Sequence, residues 1–218
     1  PEGSGVALLW AQAVKSSFPR LIIGCPMRAH FFLLPLALLL LPLPSFAQSE
    51  RHPTAAEIED QLQAMRQNIL QLMRTGIYDD RRPHALRLQR DTFAEAWSEV
   101  DAATAPFFGD WTAIEENLAI YPTANPGEVC VIDSHLDLSD FYLGQVVEGH
   151  LITDINLTFV LDSGFLVSTF VYDDEAARYE YANPRPLADP AASPYYVEYH
   201  PEIVEQFQQA ECLTESPE

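Results

Sequence analysis

Lysine is almost missing from this chain. Lys15 is the single lysine in 218 residues, and the 12 lysines and arginines together face 32 aspartates and glutamates, for a formal net charge of −20. A field of that sign repels nucleic acid and anionic lipid surfaces, so neither is expected as a partner; it attracts cations and basic partners. General acidity of a chain adapted to a salty habitat gives the same count and is the simpler reading. Cysteine is scarce too, at three residues. No G-x-S-x-G and no H-E-x-x-H occurs, so the chain carries neither a nucleophile elbow nor a zincin signature. No fixed-period repeat is present, which excludes solenoids and propellers. These absences weigh against a catalytic role.

What is present begins with an address. The first 26 residues hold no methionine, and they read as upstream read-through or a misplaced start. From Met27, Arg28 supplies a positive n-region, Phe31 to Leu43 an apolar run, and Ser45 and Ala47 small residues before Gln48. That is the secretory pattern. The apolar run is about 13 residues long and contains Pro35 and Pro42, whereas a membrane span needs about 20. No cysteine follows it to take a lipid. The expectation is a periplasmic or secreted protein, with a signal peptide over 27–47, a single mature domain over 48–218 and no stable membrane anchor after cleavage. Cleavage deepens the acidity, because three of the basic residues but only one acid, Glu2, precede Gln48.

Cys130 and Cys212 remain after cleavage, and an even count in an exported chain reads as a disulfide. Closing a loop of about 80 residues is worth roughly 4–5 kcal/mol by the chain-entropy argument. A catalytic thiol is the sharper alternative, but nothing near either cysteine in the sequence supplies the base or cation that would depress its pKa.

Thr54 and Glu57 form a capping-box pair ahead of Ile58, Leu62, Met65, Ile69 and Leu72, an apolar stripe of helical period, with Gly76 past its end. A second helix is predicted from about His84 to Thr104, facing inward through Leu86, Phe93, Trp97 and Val100, so that 54–104 is helical. From Trp111 the period becomes 2. Ile114, Leu118 and Ile120 read as one strand, Glu128–Asp133 as the next, Phe141–Asp174 as three more, and Tyr179 with Tyr181 as a last short one. The sheet thus spans 111–182. A proline-rich segment over 183–200 is expected to wrap the domain and cover a sheet edge, and 201–213 to form a terminal helix starting near Pro201. The predicted fold class is α+β: two N-terminal helices packed on a twisted antiparallel sheet of about five or six strands, with a short C-terminal helix. Gly109–Trp111 matches the G-x-W that opens lipocalin barrels, but two helices precede it and no other lipocalin motif follows, so no membership is read from it.

Two sets of residues are candidate sites. Asp133, His135 and Asp137 share one face if their strand continues, and with His150 or Asp154 from a neighbouring strand they would suit Zn²⁺ or Mn²⁺. An EF-hand is excluded, because Leu138 and Gly144 stand where it needs glycine and glutamate. The simpler reading is a polar strand end. The second set is aromatic: Trp97, Trp111, Phe141 and Tyr172 could line an apolar pocket between sheet and helices, although aromatics at strand period are more often plain core. Ser163, in Asp162–Gly164, reads as a turn residue. Asn156-Leu157-Thr158 matches a glycosylation acceptor inside a predicted strand.

The sequence therefore points to an exported, non-catalytic binding or interaction domain with one disulfide and an unnamed protein or small-molecule partner. The alternatives are an apolar-ligand binder and a metal-dependent hydrolase centred on His135. No cofactor is predicted; a divalent metal belongs only to the hydrolase alternative.

Overall fold

The structure, a computed structural model, describes residues 51–217. The upstream segment and the export signal read from the sequence lie outside them. Thr54 caps α1 (Ala55–Arg74): its hydroxyl accepts the Glu57 N–H, and its own N–H donates to the Glu57 carboxylate at 2.7 Å. The reciprocal pair satisfies two of the donors that a helix start leaves open. After α2 (His84–Ser98) and a 3-10 turn at Ala105–Phe107, the chain is β-structure. No helix among the described residues is long and apolar enough to cross a membrane.

The sheet is not open. Eight strands, β1 (Gly109–Thr112), β2 (Glu116–Pro122), β3 (Glu128–His135), β4 (Leu138–Val147), β5 (His150–Thr153), β6 (Thr158–Asp162), β7 (Phe165–Tyr172) and β8 (Glu175–Arg185), run antiparallel in sequence order, and β8 returns to β1 to close a barrel. Asp110 lies opposite Arg185, and Thr112 opposite Ala182, with a register shift between the two pairs. The expected α+β arrangement, with two helices on an open sheet of five or six strands, is therefore corrected to a closed barrel with the helices mostly outside it.

The physical reason lies in the turns. The run read as one strand through Ile114 is two, because Glu115 takes φ 60° and reverses the chain. Leu136 (φ 53°), Asp173 (φ 51°) and Asp174 (φ 60°) turn other hairpins. Two-residue hairpin turns need positive φ, which Gly and Asn adopt most easily. At these three hairpins Glu, Leu and Asp adopt it, so the glycine that marks the turns at Gly127, Gly149 and Gly164 is missing there. Asn156 (φ 66°) sits in the β5–β6 turn, not inside a strand. β8 runs through Pro184 because the register shift there frees a position that needs no ladder hydrogen bond.

Alternate positions fill the barrel. Leu118, Ile120, Val129, Val131, Leu151 and Leu166 are each fully buried. One end is plugged by Trp97 of α2 and Phe108, whose rings meet edge to face at 6.0 Å. The Trp111 indole N–H donates to the Phe107 carbonyl at 2.7 Å. α2 stops at Ser98, short of the expected Thr104, and leaves Val100 exposed. Outside the barrel, Ile58, Leu62 and Met65 of α1 pack on Val160, Val167 and Ala182. On another face, Ile203 and Phe207 of α4 (Pro201–Gln209) pack on Ala119, Cys130 and Ile132.

Between β8 and α4 runs a strap that contains a 3-10 turn at Pro190–Ala192 and α3 (Pro194–Tyr199). A closed barrel offers this proline-rich segment no edge to cover; it crosses the outer face instead, where Tyr121 Oη donates to the Ala188 carbonyl at 3.0 Å. The Cys130–Cys212 disulfide ties the chain end to β3 across a separation of 82 residues.

Gly144 marks how tightly the interior is packed. A Cβ there would lie 2.6 Å from Leu151 Cδ1 and 3.2 Å from the Ile152 carbonyl oxygen. Gly144→Ala is expected to destabilise the domain by about 1 kcal/mol, since an extra methyl in a tight core forces neighbours off their preferred positions. A urea titration that gives an unchanged midpoint would contradict this packing.

Candidate functional site

On β1, Trp111 points into the barrel, so Asp110 and Thr112 point out. On β2, Asn117, Ala119 and Tyr121 share that outer face. Arg185, at the end of β8, and the strap from Ala188 to Tyr196 rise beside them. The result is a groove of about 610 Å³ between barrel and strap, within the range of about 300–1,000 Å³ for small-molecule sites. Tyr121 and Tyr196 hold the strap in place: Tyr196 Oη and Ser134 Oγ lie 3.0 Å apart, and Ser134 also meets Ser139.

The polar groups of the groove are not used up by the fold. Burial pushes the Asp110 carboxyl up to about 6, against the pull of Arg185. Among the described residues no group donates a hydrogen bond to that carboxyl, and Arg185 makes no ion pair within 4.0 Å. Thr112 Oγ1 is buried and meets no hydrogen-bonding partner. Buried polar atoms are normally paired, so such an atom asks for an explanation. A ligand that brings donors would satisfy the Asp110 carboxyl. Among the described residues no nucleophile is hydrogen-bonded to Asp110.

A second polar cluster lies inside the barrel, at the end opposite the Trp97 plug. The β2–β3 register places Leu118 opposite Asp133 and Ile120 opposite Val131, which puts Asp133 on the interior face. The Asp133 and Glu116 side chains are within hydrogen-bonding reach. Tyr142 Oη donates to Asp133 Oδ2 at 3.4 Å, Tyr181 Oη donates to Glu116, and Asp133 Oδ1 is buried with no partner. Burial and the neighbouring Glu116 push Asp133 well above the usual carboxylate range. It therefore holds its proton more firmly than an ordinary carboxyl and, when protonated, can donate to Glu116.

The residues singled out in the sequence separate. The chain turns at Leu136, so β3 ends at His135 and Asp137 lies in the turn rather than on the strand face. His135 pairs with Leu138 and His150 with Val147, at opposite ends of β4; nine steps of strand put them about 30 Å apart. Asp133, His135, Asp137 and His150 do not converge, and among the described residues no group of three or more His, Cys, Asp or Glu is placed to hold a metal ion. Trp97 and Trp111 belong to the barrel core, Phe141 packs on the outer cluster under α4, and Tyr172 is exposed at a strand end. These four do not surround one space. Trp97 alone lines a cavity, of about 180 Å³, with Val100 and Leu213. Barrels of this strand number either fill with side chains or hold one small ligand, and this interior is filled by side chains.

The sequence reading missed Asp110, Thr112, Arg185 and Tyr196. Only Asp110 and Thr112 left a local trace, as alternate polar positions flanking Trp111. Asp133 left a clearer one: it continues the face of Val129 and Val131, an acid on an apolar stripe. No family model, no curated protein and no solved structure matches the chain.

Proposed function

We propose that this is an exported, non-catalytic binding module whose ligand lies in the groove between the outer face of β1–β2 and the C-terminal strap. The observation that carries the reading is the Asp110 carboxyl, set deep in a ligand-sized groove without a donor of its own. Support for export comes from the signal-like segment before Gln48 and from the disulfide, a bond that persists in oxidising compartments. The mature protein then works outside the cytoplasm, with no stable membrane anchor and no nucleic-acid partner. Its disulfide and tyrosine contacts keep the strap seated, so the groove is formed before the ligand arrives, which lowers the ordering cost of binding.

The test is a two-dimensional NMR screen of the protein secreted by an exporting host, against a mixture of small amines, carboxylic acids and neutral compounds. Binding should move the amide signals of Thr112, Asn117 and Tyr196 while those of α1 stay fixed. If the hits move only signals elsewhere, or the protein stays in the cytoplasm uncleaved, the reading is wrong.

A further inference from the structure

Within that groove reading, we propose that the ligand is an organic ammonium cation, seated on the Asp110 carboxylate with its hydrocarbon part against the ring of Tyr196. Charge favours a cation. Asp110, Glu115 and Asp189 line the groove against a single guanidinium, Arg185. Geometry favours an ammonium. Its N–H groups can meet the Asp110 carboxyl, which accepts no hydrogen bond from any described residue. Aromatic faces beside a carboxylate attract ammonium groups through the ring quadrupole. A bare divalent ion is disfavoured, since no metal-holding group of three ligands forms among the described residues.

The chain cannot supply this cation from its own described part. Residues 51–217 contain no lysine, so an ammonium in the groove comes from outside them, as a free amine or as the lysine of a partner. The charged and titratable groups facing Asp110 are Arg185 on β8, Asp189 on the strap, Tyr121 on β2 and Tyr196 on α3. Tyr121 and Tyr196 are pushed above the ordinary phenol range by burial, and stay neutral in the test below. Asp110 ionises near pH 6, so an ammonium should bind more tightly above that value than below it.

The experiment titrates the secreted protein by NMR with 1,4-diaminobutane and with the uncharged 1,4-butanediol, at pH 7.5 and pH 5. The diamine is expected to move the Thr112, Asn117 and Tyr196 signals, and the diol to leave them. Diamine affinity is expected to fall about tenfold from pH 7.5 to pH 5, as Asp110 takes up its proton. Asp110→Asn, nearly the same shape, should lose that pH dependence and at least tenfold in affinity; Arg185→Gln, which removes the competing cation, should tighten binding. The tripeptide Gly-Lys-Gly, run beside the diamine, tells whether a lysine side chain or a free amine fits better, and binding by either supports the proposal. If the diol or butyrate moves the groove signals and the diamine does not, or if Asp110→Asn binds diamine as before, the ammonium assignment is overturned while the groove reading stands. If no compound in the wider screen moves the groove signals, both fall.

Discussion

Replacing Cys130 and Cys212 together with alanine should lower the melting temperature by about 10–15 °C. The bond joins residues 82 apart. By the chain-entropy argument, freeing a loop of that size stabilises the unfolded state by about 4–5 kcal/mol, and each kcal/mol shifts the midpoint of a domain this large by about 2–4 °C. Alanine is the informative substitute, because Cys130 is fully buried and a serine hydroxyl there would add a separate penalty. The chain end should not come away altogether. Leu213 N still donates to the Pro122 carbonyl at 2.8 Å, and Ile203 and Phe207 still bury their side chains on β2 and β3. The loss should therefore appear as faster amide exchange over 201–217 in the folded protein, together with the lower midpoint in calorimetry. A shift below about 2 °C would mean that the unfolded chain is already held compact without the bond.

Asp133→Asn should stabilise the domain by about 2 kcal/mol at pH 8, the scale for relieving a buried carboxyl of an unmet charge, and by almost nothing at pH 4. Folding places Asp133 inside the barrel beside Glu116 and pushes its pKa well above the usual range. The unfolded chain releases that proton near the ordinary value of about 4. Above that value the folded state holds more protons than the unfolded one, so its stability falls as pH rises. Asparagine cannot ionise, and its amide can still donate to Glu116. Urea midpoints of the two proteins should thus coincide near pH 4 and separate towards pH 8. A constant gap across that range would place the effect in packing rather than in the proton. Tyr142 Oη, which reaches Asp133 at 3.4 Å, gives an independent check: Tyr142→Phe should widen the pH dependence, because it removes a donor to the ionised form.

Local signals in the sequence led to correct local structure. The capping box at Thr54 and the apolar stripe behind it specify α1 with no help from the rest of the chain. Pro201 starts α4, and Cys130 and Cys212 form the disulfide. The barrel was hidden for two reasons. Three of its turns rest on Glu115, Leu136 and the Asp173–Asp174 pair, without the glycine that marks others at Gly127, Gly149 and Gly164. Its closure depends on β1 meeting β8, a pairing between distant segments that no local periodicity encodes. The groove inherits that blindness, since Asp110 and Arg185 become neighbours only once the ring closes. The histidines show the opposite error. Alternation made His135 look like a metal ligand, but alternation gives only the face, and register set His150 at the far end of β4.

Closure also limits what kind of partner this molecule can take. Every strand has a neighbour on both sides, so no strand lies wholly at an edge for a visiting peptide to extend. Closure disfavours recognition by strand addition, and with it the edge-to-edge stacking that threatens open sheets. Whatever binds must be read by side chains, and selectivity then rests on a few groups such as Asp110, Thr112 and Arg185. The seam between β1 and β8 is short and irregular, with its register broken between Asp110 and Thr112.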